Sequence, residues 1–209
     1  MSMYIPKHFQ VQEEAELITF IQSNSFGILF TQTANGPAAS HLPFLIEKNP
    51  AGSLTLITHM AKANFHWKAH DCAALAVFQG PHAYISPTWY GPEYPAVPTW
   101  NYAAVHASGM LRVDEDEANV ISILEKMTDY FEASQPVPWR PDFSQSSSMR
   151  SMTKAVVGVR IELTSLEGKW KLSQNHPAEN VQNVVRALDQ QEDPESARIA
   201  QLMRAHHPG

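Results

Sequence analysis

Residues 59–70 read HMAKANFHWKAH, a stretch that holds Lys62, Lys68, three histidines, an asparagine and the rings of Phe65 and Trp67. It comes after LTLIT, an apolar run of strand character. A strand ending at Thr58 and a helix starting near Ala63 or Asn64 would bring His59, Lys62 and the first free helical N–H groups to one corner. Such a corner suits an anion: unpaired N–H groups and the positive end of the helix dipole face it, and Lys62 adds a compact charge. The same residues also read as a solvated basic turn with Trp67 plugging the core. His66 and His70 are four apart, so a helix would stack them on one face, with His59, His82 and His106 as further nitrogens for a metal. No glutamate stands in an HExxH arrangement, and no metal is expected.

A second concentration lies in FQGPHAYISPTWYGPEYPAVPTWNYAAVH, where Tyr84, Trp89, Tyr90, Tyr94, Trp100 and Tyr102 are packed among prolines. Aromatics at this density serve as core or interface. They also make flat walls for a planar ring, with Thr99, Asn101 and His82 available to its polar edge. An anion-binding turn together with a flat aromatic pocket is what a phosphorylated heteroaromatic cofactor requires, and flavin mononucleotide (FMN) and pyridoxal phosphate both answer to it. A dinucleotide would call for a glycine-rich strand-to-helix turn, and no GxGxxG occurs.

The elements that must position these groups are those of an ordinary globular chain. With 209 residues, 44% hydrophobic and 17% charged, it can bury a full core. The net charge of −6 is spread over singly scattered cations, so no basic face offers itself to nucleic acid. Cys72, the one cysteine, rules out an internal disulfide and suits a reducing cytosol. The N-terminus has no apolar signal core, and no apolar stretch approaches the roughly 20 residues of a bilayer span, so no membrane is expected.

QEEAELITFIQSNS sets Leu17, Ile18 and Ile21 on one helical face behind an acidic start. FGILFTQ and SHLPFLIEK form a hairpin whose tip holds Asn35-Gly36-Pro37, and LTLITH extends it to a three-strand meander. AALAVFQ, HAYISPTWY and TWNYAAVHASGMLRV continue the sheet, and DEDEANVISILEKMTDYFEAS is helical. GPEYPAVP is a stiffened excursion, and residues 134–151 are either a mobile connection or a lid. AVVGVRIELTSLEGKWKL predicts a last pair of strands turning at Glu167-Gly168, and two helical runs then straddle Asp193-Pro194. The fold class is mainly β within α+β: a closed barrel of about six antiparallel strands with flanking helices and a C-terminal helical tail. Residues 1–175 form the barrel domain, and residues 176–209 form a helical extension that covers it with Val181, Val184, Val185 and Leu188 inward.

Long blocks of this chain, MYIPKHF, SHLPFLIE, LTLITHMAKANFHWK, FQGPHAYISPTWY, VPTWNYAAVHASG and AVVGVRIELTSLEGKWKLSQN, resemble the PaiB family of FMN-binding negative transcriptional regulators. That family lies within the FMN-binding split-barrel group, which also contains pyridoxamine phosphate oxidase. The resemblance implies FMN as cofactor and a homodimer with the flavin at the subunit interface. Ser40, His41, Leu42 and Pro43 match the strand that lines the ring. Thr58, His59, Met60, Ala61, Lys62 and Asn64 match the block that grips the phosphate. Thr99, Trp100 and Asn101 match a segment that approaches the ring, and Lys171, Ser173 and Gln174 occupy a position comparable to the basic motif that the oxidases place near their ligand. One position departs: Phe65 stands where the family pattern has proline.

Three functions are expected in turn. One is a regulator gated by flavin binding or flavin redox state. A second is a flavin-dependent oxidoreductase of a small substrate, with His41, His82 and His106 as candidate proton donors. The third is a haem-binding split barrel. For the regulator, direct DNA binding is disfavoured, because Arg186, Arg198 and Arg204 of the tail are outnumbered by Glu179, Asp189, Glu192, Asp193 and Glu195.

Overall fold

The structure, a computed structural model, describes residues 3–91, 93–143 and 147–207. Among these are eight strands and five α-helices. The strands are β1 (Gln10–Val11), β2 (Phe26–Thr33), β3 (Gly36–Pro43), β4 (Leu45–Lys48), β5 (Leu54–Ala61), β6 (Cys72–Ile85), β7 (Thr99–Asp114) and β8 (Val156–Lys171). The helices are α1 (Glu14–Ser23), α2 (Glu117–Glu132), α3 (Ser147–Thr153), α4 (Ala178–Asp189) and α5 (Pro194–His206). Hydrogen-bonded neighbours run β3-β2-β6-β7-β8-β5-β4, with β1 on β8. The chain divides into two compact units: a terminal unit of Met1–Phe20, Gln79–Val105 and Glu167–Gly209, and a central unit of Ile21–Phe78 and His106–Leu166.

In the central unit β2 pairs with the next strand in a hairpin, but that strand runs over Gly36–Pro43 and not on through residues 44–48, and the chain does not go on as a meander. The pairing runs from Thr33↔Gly36 to Phe26↔Pro43, and β4 then pairs with β5, at the other end of the strand order from β3. The reason lies at Pro43 and Phe44. Proline has no N–H to extend the ladder, and Phe44 is wholly buried, edge-on to Phe78 with ring centroids 5.4 Å apart. At the hairpin tip the left-handed backbone falls on Gly36 (φ +112°), so Gly36 and not Asn35 carries the conformation that a side chain would strain. α2 starts at Asp116, whose carboxylate accepts from the N–H groups of Ala118 and Asn119, and it buries Val120, Ile123 and Met127. In the segment 134–151, Trp139 N–H donates to Glu132 and the Trp139 ring meets Phe143 edge-on. The lid expectation falls partly on residues 144–146, outside the described residues.

In the terminal unit, Glu167-Gly168 is not a turn, because β8 passes through it unbroken and pairs there with β1. Gly168 is a packing glycine: a Cβ built on it would lie 2.1 Å from a methyl carbon of Leu17, which α1 presses against the strand. Trp170 donates its indole N–H to Glu16 at 2.8 Å and packs on Phe20. α4 buries Val181, Val184 and Leu188, leaving Val185 half-buried. α5 begins with Pro194 behind Asp193, which caps it through the N–H of Ser196.

Candidate functional site

The chain leaves β5 at Ala61. Lys62 N–H donates to the carbonyl of Ala155 at 2.8 Å, and Asn64 N–H closes back onto Ala61 at 2.9 Å. The next four residues, Phe65–Lys68, form a 3-10 turn and not the expected α-helix. Asn64 caps it by accepting from His66 N–H at 3.1 Å, Ala69 N–H ends it on His66 O, and the left-handed Asp71 (φ 53°) directs the chain into β6. So short a turn has no appreciable dipole, and the helix-start argument for an anion falls. Any anion here must be held by side-chain charge. The helical face shared by His66 and His70 is lost too, since His66 is buried and His70 lies exposed beyond the turn, against Asp71.

His66 instead anchors the turn to the sheet. Its two ring nitrogens meet the hydroxyls of Thr31 (2.7 Å, from β2) and Ser40 (2.8 Å, from β3), and the Asn64 amide donates to the same Ser40 oxygen at 3.0 Å. Burial pushes the His66 pKa down, and a neutral ring donates from one nitrogen and accepts on the other. Ser40 and Asn64 are among the residues the sequence singled out, and the structure brings them together. Thr31, and His66 in this bridging role, are not among them, although Thr31 shares strand parity with the buried Leu29 and alternation alone places it inward.

Above this network lies a groove of about 890 Å³. Ala39 and Ser40 form one side, Asn64, Phe65 and Lys68 the other, and Asn35 stands at the hairpin end. Lys62, exposed, adjoins the lining residue Ala63. Among the described residues neither Lys62 nor Lys68 has a carboxylate partner. Asp71, the acid nearest the groove in sequence, is taken up by Arg112 and His70, which hold its carboxyl below the usual carboxylate range. Burial, and secondarily Asp71, push the Cys72 thiol up, away from thiolate chemistry.

The other predicted residues of the central unit are placed differently. Thr58 donates its hydroxyl to Pro43 O, tying β5 to the end of β3, while Leu42 and Met60 are core. His59 points its Nδ1 to the sulfur of Met127 in α2, 3.3 Å away, and burial lowers its pKa. His41 and Ala61 are exposed, and the His41 ring stacks on Phe26.

Thr99, Trp100, Asn101, Lys171 and Gln174 belong to the terminal unit. There Lys171 donates to the Thr99 hydroxyl and to Trp100 O, and burial, with Lys169 nearby, lowers its pKa. Asn101, wholly buried, donates to Ser173 Oγ (3.1 Å), which also meets Tyr90 OH (3.1 Å). Gln174 spends both ends of its amide on backbone, accepting from Leu172 N–H and donating to Trp170 O. Among the described residues no three His, Cys, Asp or Glu side chains gather as metal ligands.

The profile of one protein family, described as "Putative FMN-binding domain", matches residues 3–165, which takes in every residue of the groove and stops short of Lys171. The chain belongs to this family. A Bacillus subtilis (strain 168) protein named "Protease synthase and sporulation protein PAI 2" is 37% identical over 206 residues, with 96% of each chain covered. Among solved structures, the flavocytochrome Anf3 from Azotobacter vinelandii matches at a TM-score of 0.61 and 12% identity, covering 80% of this chain and 72% of its own. The FAD and heme binding protein from Mycobacterium smegmatis matches at 0.60 and 12%, covering 82% and 78%. At that identity these structures show the fold alone, a flavin-type split barrel.

The groove fits the cofactor of the family by the chemistry of its donors. FMN brings a phosphate, a polyol chain and a planar ring. The groove sets the Lys68 ammonium group, which among the described residues has no carboxylate partner, beside Asn and Ser donors, with small side chains and one exposed aromatic in its lining, and exposed Lys62 stands one residue before that lining.

Proposed function

We propose that this FMN-binding protein is a regulator of the PaiB type that acts through flavin binding or flavin redox state, and that its flavin lies along the groove with the phosphate at Lys62. The observation that carries this reading is the groove itself, lined by Ser40, Asn64 and Lys68 over a turn that His66 fixes from beneath, with exposed Lys62 one residue before the lining. FMN, when bound, supplies one- and two-electron transfer. The chain's own part is to hold and orient. Lys62 neutralises the phosphate, and Asn64, fixed by Ser40, keeps the turn in one shape.

The name of the Bacillus subtilis relative, with its protease synthase and sporulation, supports an effect on gene expression. Direct contact with an operator finds no support in α4 and α5. Arg204 is paired with Asp189, Arg198 with Glu195, and Arg186 is held by Asn183, so the arginines of the tail are already engaged. The effect is therefore indirect, through metabolism or a protein partner, in the cytoplasm. The working form is a homodimer with the flavin at its interface. The outward aromatics of β2, Phe26 (67% exposed) and Phe30 (37%), support a second copy covering this face.

The test is a titration of the purified protein with FMN, monitored by visible absorption and fluorescence, beside Lys62→Ala. A bound flavin spectrum and a loss of about 1.5–3 kcal/mol of affinity in the variant are expected for a charge-assisted contact. A protein that takes up no FMN ends the reading, and a salt-sensitive, sequence-selective shift of promoter DNA ends its indirect half.

A further inference from the structure

We propose that Phe65 is a stacking platform: one face of its ring takes a planar heteroaromatic ring of the bound nucleotide, and Lys68 braces the other. The proposal rests on the FMN reading of the groove and names the residue that selects for the ring. Phe65 is 72% exposed, although it stands between buried or half-buried neighbours. A lone exposed aromatic needs no explanation, but three features set this one apart.

First, Phe65 lines the groove. Second, it cannot swing into the core. Asn64 on one side is tied to Ser40, His66 on the other is tied to Thr31 and Ser40, and Trp67 donates its indole N–H to Lys62 O at 3.0 Å. A turn pinned at each neighbour holds the ring outward, so a ligand finds it already placed, with little ordering left to do. Third, the Lys68 amine lies 4.7 Å from the ring centroid. A cation on one face leaves the opposite face for a stacked partner.

The stacked ring has two sources, the isoalloxazine of the flavin and the adenine of a dinucleotide such as FAD. The experiment measures binding of FMN, riboflavin, FAD and AMP to the wild type, Phe65→Ala and Phe65→Tyr, with flavin fluorescence and thermal midpoint alongside. Loss of one stacked ring in Phe65→Ala should weaken binding by about 5- to 10-fold, at the low end of the range for base–aromatic stacking. Phe65→Tyr should restore it, and the midpoint should hold because the side chain is exposed. Weakened FMN and riboflavin, with brighter bound flavin, assign the platform to the isoalloxazine. Weakened FAD and AMP with FMN unchanged assign it to adenine. If the wild type binds FMN and Phe65→Ala binds all four as well as the wild type does, the platform is overturned while the FMN reading stands. If the wild type binds no flavin and no AMP, both fail.

Discussion

Each unit of this chain holds a buried polar cluster, and the two are built alike. In the central unit Thr31, Ser40, Asn64 and His66 join three segments; in the terminal unit Tyr90, Asn101 and Ser173 join three others. Among the described residues every buried side-chain nitrogen or oxygen has a partner, so neither cluster is short of hydrogen bonds. They differ in what stands beside them. The central cluster underlies a groove lined by Lys68, which among the described residues has no carboxylate partner, whereas in the terminal one Ser173 is shared by Asn101 and Tyr90 and the adjacent Lys171 is spent on Thr99 and Trp100 O. The two clusters thus differ in the lysine charge left over once the internal bonds are counted.

The largest effect that would break this contrast is expected at His66. His66→Leu removes the side chain that bridges the Thr31 and Ser40 hydroxyls and leaves Ser40 only its bond from Asn64, and about 3 kcal/mol of stability should go with it. Since Asn64 and Phe65 lose their anchor, FMN affinity should fall as well. Asn101→Leu is the matched change in the other cluster, with an expected cost of about 2 kcal/mol of stability and no change in FMN affinity. Urea denaturation paired with FMN titration reads both. Equal losses of affinity in the two variants would mean that the terminal cluster also serves the flavin.

A smaller effect separates the clusters by pH. Burial lowers the pKa of His59 and His66 in the central unit and of His176 in the terminal unit, each from an ordinary 6.5. The unfolded chain then binds more protons than the folded one below about pH 6.5, so stability should be level above pH 7.5 and fall as the solution is acidified through that window. Asp71 and Asp193, whose carboxyls are held low by their partners, add their own loss only near and below their ordinary 3.8. In a background of His66→Gln the fall between pH 7 and 5 should be shallower. A wild-type stability that stays level or rises on acidification to pH 5 would mean that these rings are charged in the folded state.

The range of the forces involved decides how much of the molecule is legible in its sequence. β7 and α2 are set by local periodicity and lie where the sequence places them, whereas the hairpin's second strand, expected over 40–48, runs over Gly36–Pro43. Gly168 deceived because a glycine that admits a neighbouring helix and a glycine that turns a chain look alike until Leu17 is in view. The Phe65–Lys68 turn deceived for a related reason: the spacing suited a helix, but Asn64 and Asp71 close the segment after a single turn. Ser40 and Asn64, which the resemblance names together, are also joined by a hydrogen bond. The bridge from Thr31 to His66 spans 35 positions and could not be read without the sheet register.

The smallest effect tests the tail. Arg204 and Asp189 link α5 to α4 across exposed surface, and such pairs contribute little because water and salt screen them. Arg204→Ala should lower stability by no more than about 0.5–1 kcal/mol, and Arg198→Ala by less, since its partner Glu195 lies within the same helix. Neither should change FMN affinity, as both arginines lie in the unit without the groove. They serve as controls for the contrast between the clusters, because they alter charge without touching a buried bond. A loss of several kcal/mol from Arg204→Ala would show that the two helices are held together by that charge rather than by Val181, Val184, Leu188, Ile199 and Met203, all of which are buried.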